Sequence, residues 1–127
     1  MFNLVIYYLK KILFVISKRE KAQARLAYRK YLFDELLSVF GNNQFKNKRI
    51  LEIGPKEGED TARLRTLKPK ELIMFDLPDK GEENDKWKDT LGDNEKLYIK
   101  NFLYLSKNEY DELGKFDLIY FTGVLYH

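Results

Sequence analysis

From residue 46 onward the chain alternates short, β-branched apolar runs with helix-forming stretches, and this alternation is its strongest folding constraint. Arg49-Ile50-Leu51-Glu52-Ile53 is the first run and ends at a glycine. Glu71-Leu72-Ile73-Met74-Phe75-Asp76 is the second. Lys96-Leu97-Tyr98-Ile99-Lys100 is a weaker third, and Phe116-Asp117-Leu118-Ile119-Tyr120-Phe121 a strong fourth. Continuous apolar runs of this length read as strands covered on both faces, the pattern of a parallel sheet. Between the first two runs, Glu59–Leu67 has acids leading and arginines following, as the helix dipole favours. Strand, helix, strand at this spacing predicts a βαβ unit. The polar span from Pro78 to Glu95 has no clear period and reads as a loop with at most a short helix around Trp87. Asn108–Leu113 reads as a short helix. The expected fold class is therefore α/β, a Rossmann-like parallel sheet of which four strands can be placed.

The segment before this sheet is of another kind. Residues 20–40 place Leu26, Ala27, Tyr31, Leu32, Phe33, Leu36, Leu37 and Phe40 at three- and four-residue intervals, which predicts a helix with one buried stripe. Gly41-Asn42-Asn43 stops it. Residues 1–31 carry Lys10, Lys11, Lys18, Arg19, Lys21, Arg25, Arg29 and Lys30 against Glu20 alone, a net of +7. The whole chain of 127 residues is only +3, so the remainder is mildly acidic at −4. Two domains are expected on this basis: a helical segment at 1–45 and an α/β domain at 46–127.

The first sixteen residues hold two apolar stretches, Leu4–Leu9 and Ile12–Ile16, split by Lys10 and Lys11. A membrane span needs about 20 mostly apolar residues and tolerates central lysines poorly. A secretory leader would place its charge before the apolar run and small residues after it. Two readings stay open. One is a helix packed on its own or a partner's core. The other is an interfacial helix, with residues 1–21 resting on an anionic membrane surface. The expected location is cytoplasmic, with peripheral contact at the inner face of the membrane under the second reading. The basic residues between Lys18 and Lys30 lack the interleaved aromatics of a single-strand binder and give no specific nucleic-acid signal.

Composition removes several chemistries. The chain has no cysteine and one histidine, His127, so thiolate metal sites, a cysteine nucleophile and a histidine-rich metal centre are not expected. The chemistry concentrates in the turn Gly54-Pro55-Lys56-Glu57-Gly58 after the first strand. In a doubly wound sheet, ligands bind outside the carboxyl ends of the strands, against such a turn. A phosphate-binding P-loop fails, because Glu59 stands where its second glycine belongs. A dinucleotide fingerprint fails too, because Lys56 and Glu59 occupy two of its glycine positions. Glu52, Glu57, Glu59 and Asp60 crowd the turn with negative charge, which repels a pyrophosphate and suits a ligand with a cationic end.

Leu51-Glu52-Ile53-Gly54-Pro55-Lys56-Glu57-Gly58 resembles the first motif of the class I S-adenosylmethionine-dependent methyltransferases. Glu52, Gly54 and Gly58 match the motif, and Lys56 replaces its central glycine. Asp76 follows Glu52 by 24 residues and closes the second strand, where an acid of the family meets the ribose hydroxyls. Asn101 and Phe102 match the positions that meet the adenine. Phe116 to His127 looks like the fourth strand and the loop beyond it. The resemblance covers about residues 47–127. It implies S-adenosylmethionine as cofactor, held by Glu52, Gly54, Pro55, Gly58, Asp76, Leu77, Asn101 and Phe102, and an in-line methyl transfer. It implies no metal, and it leaves the methyl acceptor and any catalytic base unnamed.

Other readings stand beside these. Glu52 reads also as a strand-end carboxylate capping the next helix. Asp76 and Asn101 read also as turn residues. Asp117 reads as structural, and Tyr126 and His127 as structural or substrate-contacting. The family's sheet has seven strands, so the chain is expected to be the N-terminal part of a longer methyltransferase, inactive by itself, with its fourth strand an exposed edge. The alternatives are a nonenzymatic Rossmann-like module docking through its basic helix on a membrane or partner, and a nucleotide- or nicotinamide-binding enzyme.

Overall fold

The computed structural model describes residues 24–78 and 86–122. The chain divides into two compact units, Met1–Glu35 and Leu36–His127. A helix, α1, spans residues 24–40. Of the expected stripe, Leu32, Phe33, Leu36 and Leu37 are covered, whereas Leu26, Ala27, Tyr31 and Phe40 are exposed. The stripe is thus narrower than the sequence suggests: a helix covered along one line leaves the flanking apolar residues in solvent. Gly41 ends the helix with φ +79° and donates its N–H to the Leu37 carbonyl at 2.7 Å. Residues 1–21, the basis of the membrane-surface reading, lie outside the described residues. Among the described residues no helix is long and apolar enough to cross a membrane.

The second unit holds the sheet. Its elements are β1 (Arg49–Ile53), α2 (Glu59–Arg65), β2 (Glu71–Asp76), β3 (Glu95–Ile99), α3 (Lys107–Leu113) and β4 (Leu118–Tyr120). Two 3₁₀ turns, Lys86–Thr90 and Phe102–Tyr104, flank β3. All strand pairs are parallel, in the order β3-β2-β1-β4. This is the Rossmann-like arrangement, and it leaves β4 at an edge among the described residues. Strand order reverses between β1 and β4, the switch point where such sheets open a crevice.

The register assigns each side chain to a face. Glu52 lies opposite Met74 and Tyr120, and Asp76 is two residues beyond Met74, so Ile50, Glu52, Leu72, Met74, Asp76 and Tyr120 share one face. All six are buried. α2 covers this face, with Thr61 and Leu64 at 0% exposure. Leu51, Ile73 and Phe75 form the opposite core, closed by Ile53, Phe102, Leu105, Leu113 and Phe116.

The strand ends differ slightly from the sequence reading. β3 begins at Glu95, where its ladder with Leu72 starts, and Arg65 of α2 holds that carboxylate at 2.7 and 3.0 Å. β4 is shorter than expected. Asp117 precedes it as a bridge, accepting from the Arg49 N–H and donating its own N–H to the Arg49 carbonyl, both at 2.9 Å. α3 starts one residue early because Ser106 and Glu109 form a reciprocal capping box.

Candidate functional site

The site is built from the carboxyl ends of β1 and β2. After Ile53 the chain must turn sharply into α2, and Gly54, Lys56 and Gly58 take φ of +75°, +49° and +83°. Glycine meets this demand without steric cost; a lysine does so at about 1 kcal/mol or more. The Gly54 N–H donates to the Phe75 carbonyl at 2.8 Å, fastening the turn to the end of β2. Pro55 is fully buried, and the Gly58 N–H donates to its carbonyl at 2.9 Å.

Two carboxylates frame the turn. Glu52 is 1% exposed, and Oε2 accepts the Thr61 hydroxyl at 2.7 Å. Asp76 is 7% exposed; its Oδ1 accepts the Leu77 N–H at 3.0 Å, and its Oδ2 lies 3.9 Å from the Lys88 ammonium. Leu77 itself is exposed. A third buried acid, Asp60 in the first turn of α2, accepts from Arg63 and from the Thr122 hydroxyl, each at 2.8 Å. The Thr122 contact ties the segment after β4 to α2 across the switch point.

Glu52, Gly54, Pro55, Gly58, Asp76 and Leu77 are thus gathered at the ends of two adjacent strands. Asn101 and Phe102 follow β3 at the same end of the sheet but are differently engaged. The Asn101 side chain accepts from the Leu103 N–H at 3.0 Å and caps the 3₁₀ turn. Phe102 meets Phe75 and Tyr110 edge-on, at 5.3 and 5.4 Å between centroids, in the core opposite the two acids. Asp117 sits at the other end of the sheet, beside Arg49. Tyr126 and His127 lie outside the described residues.

Sequence reading missed a second layer around the turn. The Trp87 indole N–H donates to the Lys56 carbonyl at 2.9 Å. A Cβ on Gly58 would come within 2.7 Å of the Trp87 ring, so the missing side chain is what lets the indole reach the backbone. Trp87 is the only tryptophan, set in a polar span, and that isolation was the available signal. Lys88, Thr61 and Thr122 carried no comparable one.

A family model described as a methyltransferase domain matches residues 24–127. The chain belongs to the methyltransferase domain family. Its parallel α/β sheet is of the class I kind. None of the curated proteins matches the chain. Glu52, the glycine turn and Asp76 stand at the carboxyl ends of the strands, the end at which open parallel sheets bind ligands. Among the described residues no group of three acids or histidines could hold a metal ion.

Proposed function

We infer that this methyltransferase domain uses S-adenosylmethionine as its methyl donor and binds it across the ends of β1 and β2. The observation that carries the reading is the pair of buried carboxylates, Glu52 and Asp76, on one face of neighbouring parallel strands with a left-handed glycine turn between them. This set of acceptors fits a ligand with a cationic amino-acid end and a ribose diol. It does not fit a pyrophosphate, which needs N–H donors and cations rather than acids.

S-adenosylmethionine supplies a methyl group activated on a sulfonium. The protein's part is alignment. Gly54 lets the backbone approach the ligand, Gly58 supplies the left-handed turn and the room that Trp87 fills, and Pro55 stiffens the turn between them. Glu52, fixed by Thr61, places negative charge toward the amino-acid end. Asp76 accepts from the ribose hydroxyls, with Leu77 beside it. Asn101 and Phe102 follow β3 at the same end of the sheet and would meet the adenine through their backbone, since the Asn101 side chain caps the 3₁₀ turn and the Phe102 ring packs on Phe75 and Tyr110. Holding the acceptor in line with the methyl carbon is a proximity effect, and such effects are worth several orders of magnitude in rate. A general base is required only for a weakly acidic hydroxyl or amine acceptor.

Calorimetric titration with S-adenosylhomocysteine tests the reading. The full-length protein should bind it, and Asp76→Ala should weaken binding at least tenfold while leaving the far-ultraviolet circular dichroism intact. Binding of a nicotinamide dinucleotide in its place would overturn the reading.

A further inference from the structure

The 3₁₀ turn Lys86–Thr90 touches both halves of the proposed cofactor site. At one end Trp87 is bonded to the Lys56 carbonyl and lies against the Gly58 backbone. At the next residue, the Lys88 ammonium stands 3.9 Å from Asp76 Oδ2. The two charged side chains are only 16% and 8% exposed, so their attraction is screened less than that of a surface pair. The Thr90 hydroxyl donates to the Trp87 carbonyl at 2.8 Å and closes the turn. Five residues therefore link the glycine turn after β1 to the acid that ends β2.

The geometry at Asp76 has a consequence for a diol. Oδ1 already accepts the Leu77 N–H, and Oδ2 faces Lys88. A ribose that donates both hydroxyls to this carboxylate must take the oxygen that Lys88 faces. We propose that Lys88 competes with the ribose diol for Asp76 and so sets the affinity for the cofactor, with Trp87 anchoring the turn that presents it. This rests on the S-adenosylmethionine reading above. Cofactor entry then exchanges an ion pair for hydrogen bonds, and the lysine sets how tightly a ribose must bind to displace it.

The test compares wild-type protein with Lys88→Met and Lys88→Arg, titrated with S-adenosylhomocysteine by calorimetry and by the fluorescence of Trp87. Met keeps the length of the side chain and removes the charge; Arg keeps the charge. Lys88→Met should bind three- to tenfold tighter, Lys88→Arg should stay within about twofold of wild type, and ligand should shift the Trp87 emission in all three. Should Lys88→Met fail to fold, Lys88→Gln carries the same expectation. Unchanged or weaker binding by the uncharged variant, with wild type binding normally, overturns the competition and leaves the cofactor reading standing. Absence of binding in every form overturns both.

Discussion

The inner strands β1 and β2 and the outer strands β3 and β4 live in different surroundings. On the inner pair, Ile50, Leu51, Leu72, Ile73, Met74 and Phe75 are all 3% exposed or less. On the outer pair, Tyr98, Ile99 and Ile119 are 37%, 45% and 52% exposed. The inner strands are held by neighbours on both edges and covered on both faces, and it is their ends that carry Glu52 and Asp76. A carboxylate kept at a fixed place out of water needs a pinned backbone and a supplied donor. The inner strands meet both conditions at the ligand end of the sheet through Thr61 and the Leu77 N–H, and β3 meets them at its start through Arg65. The outer strands supply edges and tie points: Glu95 to Arg65, and the segment after β4 to Asp60.

Substitutions should separate the two pairs. Leu72→Ala removes a side chain with no exposure and should cost about 2–5 kcal/mol of stability in urea denaturation. Ile119→Ala, the same kind of truncation on β4, should cost under about 1 kcal/mol. Equal losses would show that the outer strands are as tightly packed as the inner ones. Thr61→Val is next in size. It keeps the shape but deletes the hydrogen bond to the buried Glu52 carboxylate, and should cost about 1.5–3 kcal/mol in the same assay.

The smallest effect concerns pH and the outer pair. Burial pushes the Glu95 carboxyl up, but hydrogen bonds from Arg65 and the Gly92 N–H, with the Arg65 charge, outweigh it and hold the group below the usual glutamate value. A carboxylate lowered on folding stabilises the fold above its unfolded pKa, about 4.3, and loses that contribution as pH falls through the lower folded value. The urea midpoint of the wild type should therefore drop more between pH 7 and pH 3 than that of Glu95→Gln. Identical drops would remove Glu95 from the account.

Much of this was legible in the residues. Four apolar runs and their spacing sufficed for a parallel α/β sheet, and the acids at the ends of the first two runs, with the glycines between, pointed to the candidate site. Periodicity failed where the decisive partner is remote. The start of β3 depends on its pairing with Leu72, in a strand separated from it by a long polar connection. The start of α3 was readable as Ser106-x-x-Glu109, a local signal that periodicity alone passes over. Stripe residues such as Tyr31 and Leu26 stay exposed because a helical period says which residues share a side and not how wide the cover is.

The order of elements, the chemistry of the turn and the two acids that flank it follow from the residues alone, because these depend on local backbone demands and on side-chain type. It takes the folded sheet to bring Trp87 and Lys88 back onto that turn and onto Asp76. Their contacts cross from one connection of the sheet to another, and no local pattern encodes a meeting that depends on where the strands between them are paired.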